Sequence, residues 1–149
     1  MKPNDLTQIK NISKQIRLMK KTAVKVGLPT DVGQYPNGQS ILEVGQRHEF
    51  GLGVPRRSFI RVPFAKETPK IQKSIKDGYK NIINGGDTIK NLNKLGIIGQ
   101  NISRNSFKNQ GYGEWKDIKE STKEAKGSSK ILFDTGKLVQ SVQYWIVKE

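Results

Sequence analysis

HEFGLGVPRRSFIR, residues 48–61, is the phrase around which the chain is organised. Its first part reads as a helix ending, with Gly51 at the position where a left-handed glycine commonly closes a helix. Gly51, Gly53 and Pro55 then set the path of a loop. Arg57, Phe59 and Arg61 follow as an alternating Arg–aromatic–Arg series. The loop lacks the GxGxxG spacing that a strand-to-helix phosphate cradle needs, so a nucleotide site is not expected. His48 is the single histidine. No second histidine completes a zinc-binding HExxH helix, so His48 reads as a packing or hydrogen-bonding residue and no metal site is expected.

Upstream, SILE (40–43) forms a capping box in which Ser40 caps the first turn and Glu43 reaches back. The helix it opens, ILEVGQRHEF (41–50), is expected to place Ile41, Val44 and His48 on one side. QYPNGQ (34–39) is turn chemistry that suits either a hairpin return or a short loop. TAVKVGL (22–28) alternates and is β-branched, which predicts a strand. Residues 5–21 carry Leu6, Ile9, Ile12, Ile16 and Met19 at helical spacing, and Lys10, Lys14, Arg17 and Lys21 line another face.

Downstream, Thr68-Pro69 starts a helix carrying Ile71, Ile75, Tyr79 and Ile82, which ends at NGG (84–86). Whether helix already begins at Ser58, with a break at Pro63, is left open by the residues. Asp87 caps a further helix over about 88–108, with Ile89, Leu92, Leu95, Ile98 and Ile102 facing one way. Gly96 and Gly99 within it suit a close backbone approach. The short GGDT link predicts an antiparallel helical hairpin. Residues 109–122 read as a polar loop anchored by Trp115, and 123–130 as a more flexible segment. ILFDTGKLVQS (131–141) reads as an apolar entry, an Asp134 or Thr135 cap and one helical turn carrying Leu138. VQYWIVK (142–148) alternates as a closing strand, which must pair to stay ordered. The fold class expected is α+β: a small antiparallel sheet against two or three helices, in a single domain over 1–149. A basic helix and strand (1–30) open that domain, and a turn and strand (131–149) close it.

With 149 residues, 34% of them apolar, the core is thin and subunit contacts are expected to complete it. The absence of an apolar run of membrane-spanning length predicts no membrane span, and no secretory leader is visible at the N-terminus. Zero cysteines exclude disulfides and thiolate metal sites. The net charge of +14 favours an acidic partner. Residues 1–28 alone carry seven Lys/Arg against one acidic residue.

Asp134-Thr135-Gly136 has the form of a retropepsin-type aspartic protease triplet. Only a short tail follows it, too little for a flap and second motif, and Lys137 would disturb the shared-proton pair such chemistry requires. Nor is there zinc-finger spacing, an aromatic RNA-recognition strand or a helix-turn-helix signature. A basic DNA-associating protein is the alternative that the charge supports.

In order and spacing, these phrases resemble the neck and tail-completion proteins of tailed bacteriophages (the lambdoid-type tail-component family). YPNGQSILEVGQRHEFG (35–51) is similar to that family's turn–helix phrase, and VPRRSFIR (54–61) to its Ile-Pro-x-Arg-Pro-Phe-x-Arg phrase. Arg56 stands where a small residue or proline is usual, and Ser58 where proline is usual. Trp115, Thr122 and Lys126, then Leu132, Asp134-Thr135-Gly136, Leu138 and Ser141, fit the closing series. Ile118 replaces a leucine there and Ile131 a proline. The resemblance covers about 35–147 and implies structural work without catalysis or cofactor. It implies a virion protein made in the host bacterial cytoplasm, forming a homo-oligomeric ring (a hexamer or dodecamer) at the head–tail junction or tail top. Its neighbours would be neck, tail-terminator or tail-tube proteins, with non-specific DNA contact possible. Phe50, Gly51, Pro55, Arg56, Arg57, Phe59 and Arg61 are the expected interface residues. The arginines would clamp carboxylates of an adjacent subunit or pair within the chain, with Glu49 or Asp134.

Overall fold

A computed structural model describes residues 3–126, 129, 131–132 and 136–148. In order, the elements are α1 (Pro3–Lys20), β1 (Thr22–Gly27), α2 (Ile41–Phe50), α3 (Arg61–Lys66), α4 (Thr68–Ile83), α5 (Thr88–Lys108), α6 (Glu120–Lys126), α7 (Lys137–Ser141) and β2 (Gln143–Lys148). The class is α+β: β1 and β2 form a two-stranded antiparallel sheet, packed against helices. The chain forms two compact units, each assembled from separated segments. Unit 1 comprises Met1–Val26, Thr68–Gly99 and Tyr144–Glu149, and unit 2 comprises Gly27–Glu67 and Gln100–Gln143.

In unit 1, α1 packs on α4. The Gln15 side-chain carbonyl accepts from the Thr88 N–H (3.0 Å), and the Gln15 backbone carbonyl accepts from the Thr88 hydroxyl (2.9 Å). Thr88 is thereby fully buried with both groups satisfied. Asp87 caps α5 through the Lys90 N–H (2.8 Å). In the hairpin link, Asn91 donates to the side chain of Asn81 (3.0 Å). Of the stripe expected on α5, Leu92 and Ile102 are buried and Leu95 and Ile98 half-buried. Ile89 is exposed, while Leu92, Gly96 and Gly99 are buried. The bare backbone of Gly96 receives the ring of Tyr144 from β2; a methyl group there would collide with that ring. The close approach is thus made by an aromatic side chain rather than by backbone. Of the apolar stripe on α1, Ile12, Ile16 and Met19 are half-covered, and Leu6 and Ile9 remain about half exposed.

In unit 2, α2 packs on α7. Ser40 caps α2 by accepting from the Glu43 N–H (3.3 Å), and the turn before it closes on an antiparallel bridge between Gln34 and Ser40. The inward face is Ile41, Gly45 and Glu49, correcting the expected Ile41, Val44 and His48. The cause lies at Gly45, where the Leu28 side chain fills the space a Cβ would occupy and Leu138 lies close by. Phe59, Phe107 and Trp115 form the aromatic centre. Phe59 and Phe107 meet at 5.0 Å between ring centroids, and Phe107 meets Trp115 edge-on at 5.6 Å.

Residues 120–126 form α6, where the sequence suggests flexible chain from 123. The helix is supported by Lys123, which pairs with Glu120 (2.8 Å) and Asp117 (3.0 Å). This pairing holds the Asp117 carboxyl below its usual range. Among the described residues, no helix is long and apolar enough to cross a membrane.

Candidate functional site

The opening phrase is organised by a residue that periodicity does not single out. Gly51 ends α2 in the left-handed conformation (φ 77°) and returns its N–H to the Arg47 carbonyl. This fixes the last turn of α2 so that Glu49 points inward, 4% exposed. Its Oε2 accepts from the Phe59 and Ile60 N–H groups (2.8 and 3.0 Å). Its Oε1 accepts from the Ser58 hydroxyl (2.8 Å), the Arg61 N–H (3.0 Å) and the Arg61 guanidinium Nε (3.3 Å). The Ile60 and Arg61 donors are free N–H groups at the start of α3, and the Phe59 N–H immediately precedes them. One carboxylate from α2 therefore caps the next helix, where the positive end of the helix dipole favours an anion.

Ser58, which stands where the resemblance expects proline, completes the cap from the other side. Its hydroxyl accepts from the Val62 N–H (3.0 Å) while donating to Glu49. Pro63 sits in the first turn of α3, where its missing N–H costs nothing. Hydrogen bonds here supply the rigidity that a proline at 58 would have supplied through its ring.

The seven expected interface residues divide into two groups. Phe59 is fully buried, and its carbonyl accepts from the Ser103 hydroxyl (2.6 Å). Arg57 is 5% exposed, and its Nε and Nη2 both donate to the Lys116 carbonyl (3.2 and 3.0 Å). Burial lowers the Arg57 pKa, and the nearby Asp117 charge opposes that shift. Phe59 and Arg57 are thus built into the chain's own interior rather than presented. Phe50, Pro55, Arg56 and Arg61 remain at the surface, with Gly51 partly covered. Arg61 takes the in-chain option, pairing with Glu49 and lying 4.4 Å over the Phe50 ring. Phe50 is 51% exposed and its neighbour Leu52 58%. Beside them Leu28, Leu42, Phe50, Ile60 and Arg61 line a shallow apolar hollow of about 180 Å³.

In the closing phrase, Asp134 and Thr135 lie outside the described residues. Gly136 is buried in the left-handed conformation (φ 73°), Leu138 is buried, and the Ser141 hydroxyl donates to the Lys137 carbonyl (2.7 Å). A larger hollow of about 450 Å³ is lined by Tyr35, Val44, His48, Arg57, Thr122 and Leu138, among others. Among the described residues, no group of three or more His, Cys, Asp or Glu is placed to hold a metal ion. The remaining predicted residues, Lys10, Lys14, Arg17 and Lys21, are exposed and belong to unit 1, separate in sequence and unit from the Glu49 clasp.

Tyr112 gives unit 2 a pH-sensitive contact. Its hydroxyl donates to the Glu67 carboxylate (2.9 Å), and burial together with that carboxylate pushes the phenol up to about 12. A folded-state pKa above the ordinary 10 stabilises the fold fully below about pH 10 and ceases to do so as pH climbs through 12. Ultraviolet titration of tyrosinate should therefore show Tyr112 ionising late. Glu67→Gln should bring it back towards 10, and Tyr112→Phe should remove it.

A scan against protein-family models finds no match for this chain, and searches of curated proteins and of solved structures find none either.

Proposed function

We propose that the chain is a structural virion protein of a tailed phage, assembling as a ring at the head–tail junction or tail top. There it would complete the neck or tail by contacting neck, tail-terminator or tail-tube proteins. The reading rests on the ordered phrases at 35–51, 54–61 and 131–141. The observation that supports it best is the clasp joining the first two: Glu49 of one phrase holds Ser58, Phe59, Ile60 and Arg61 of the other. That clasp turns Phe50 and Leu52 outward beside an apolar hollow, with Arg61 above the Phe50 ring. An exposed aromatic with an arginine over it, on a braced loop, is the composition of a protein-contact surface. The role is assembly, with no reaction assigned.

Mass photometry and negative-stain microscopy of the purified chain, alone and with the products of neighbouring genes, test the proposal. Annular particles of six or more copies are expected. Phe50→Asp with Leu52→Asp should disperse them while leaving the helical circular dichroism unchanged. A chain that stays monomeric in every mixture, or is missing from purified phage particles carrying its gene, would sink the reading.

A further inference from the structure

The charge of this protein is segregated between its units. Unit 1 carries fourteen Lys/Arg against four Asp/Glu, a net +10, while the longer unit 2 carries thirteen against nine, a net +4. Pairing is segregated too. The ion pairs found among the described residues are Arg47–Glu43, Arg61–Glu49, Lys66–Glu114, Lys123–Asp117 and Lys123–Glu120, all in unit 2. None involves Lys10, Lys14, Arg17, Lys20 or Lys21. Positive charge collected in one unit raises the local potential there and draws an anionic partner.

On α1 the segregation becomes a row. Ile12, Gln15, Ile16, Leu18 and Met19 are the half-buried positions; Lys10, Lys14 and Arg17 are exposed, as is Lys21 immediately past the helix end. At 3.6 residues per turn the two sets centre about half a turn apart, so the cations lie opposite the packing face. They succeed one another about once per turn over roughly 16 Å, from the 1.5 Å rise per residue. The exposed Lys73, Lys76 and Lys80 repeat the pattern on α4, again away from Ile71, Ile75, Gly78 and Ile82.

We infer that unit 1 carries a sequence-independent contact surface for the phosphate backbone of duplex DNA, with Lys10, Lys14, Arg17 and Lys21 as its central row. The residue types favour this partner. Of the fourteen basic residues in unit 1, thirteen are lysines, which act as point charges on phosphate rather than as bidentate readers of bases. Duplex DNA presents one charge about every 1.7 Å of axis, so each cation of the row can meet its own phosphate. A bilayer surface is disfavoured because the centre of the exposed face is basic, with Leu6 and Ile9 confined to its first turns. The inference does not rest on the virion proposal, since it uses only the charge and geometry of unit 1.

The test measures affinity of the full-length chain for a duplex of random sequence by fluorescence anisotropy between 50 and 200 mM salt. Replacing all four row cations with glutamine should flatten the logarithmic salt dependence by about 0.9 per cation lost, roughly 3.6 in all. Over that salt range the parent should lose about a hundredfold more affinity than the variant. Arg47→Gln with Lys123→Gln, which removes paired cations of unit 2, should leave the slope unchanged. Lys73→Gln, Lys76→Gln and Lys80→Gln together provide a second variant, expected to flatten the slope in the same sense. Circular dichroism melting confirms that each variant is folded.

An unaltered slope in both multiple variants overturns the inference, as does absence of binding at 50 mM salt. Tighter binding to phosphatidylglycerol vesicles than to duplex, at equal phosphate concentration, would assign the surface to membranes instead. Poly-glutamate displacing the chain as well as duplex does, at equal charge concentration, would assign it to acidic protein. Equal salt slopes on two unrelated duplexes, both flattened by the row substitutions, support it.

Discussion

Glu49→Ala should destabilise unit 2 by about 2–6 kcal/mol, from about 1–3 kcal/mol for each of the two buried donors, the Ser58 hydroxyl and the Phe59 N–H, that lose their acceptor. The substitution leaves the Phe59, Ile60 and Arg61 N–H groups and the Ser58 hydroxyl without their acceptor. Each buried donor left unsatisfied costs about 1–3 kcal/mol, and those nearest the surface recover part of that from water. Glu49→Gln should be milder. Its single carbonyl oxygen can serve the donors of one carboxylate oxygen, while its amide faces the others as a like donor. The two tryptophans give a direct readout, because Trp115 lies in unit 2 and Trp145 in unit 1. Urea unfolding followed by Trp115 fluorescence in a Trp145→Phe background should show the loss. Trp115 is a close reporter, since its indole N–H donates to the Ser58 carbonyl (3.3 Å). A change below about 1 kcal/mol, the ordinary worth of one hydrogen bond, would show that the clasp is incidental.

Phe59→Ala should cost a similar amount for a different reason. The side chain is fully buried, and large-to-small changes of this kind cost about 3–5 kcal/mol through lost transfer energy and the cavity left behind. The hole would open beside Gly45 and against Phe107. Phe107 would lose the ring that holds it at a tilt, and Trp115 would lose its support in turn. Phe59→Leu should recover more than half of the loss, because volume rather than aromaticity dominates the term. The contrast with Glu49 is diagnostic: Leu rescues at 59, whereas Leu at 49 meets four donors and should not. Should Phe59→Ala melt within a few degrees of the parent, the aromatic cluster is not the centre of unit 2.

Much of the fold was legible because it is written in local chemistry. Ser40 and Gly51 bracket α2, Asp87 starts α5, and Asn84 to Gly86 end α4, each through a backbone demand that few residues meet. The inward face of α2 was not legible. Counting apolar spacing ranks Val44 and His48 above a glycine and a glutamate, and nothing local reveals that Leu28 fills the space over Gly45. A carboxylate four residues after that glycine was the available signal, since a charge on a packing face must have partners. The helix α6 escaped because ion pairs of Lys123, rather than an apolar stripe, mark it. The grouping of segments into two compact units cannot be read from periodicity, because contacts between distant segments leave no mark on it. At the candidate site the sequence drew attention to the 48–61 loop, but the burial of two of its side chains was not legible. Arg57 and Phe59 look like presented residues in one dimension, and only the carbonyl of Lys116 and the ring of Phe107 show otherwise.

The pairing of β1 with β2 bears on how the protein comes into being. During synthesis β1 emerges more than a hundred residues before the strand it needs, and until then its edge is open to any other extended chain. The groove at Gly96 waits equally long for the ring of Tyr144. Closing so long a loop adds little to the equilibrium cost, which grows only logarithmically with length, but it delays the step. Unit 1 is therefore finished only once β2 has been translated, and a chain cut short before Tyr144 has its basic helices made and its sheet not.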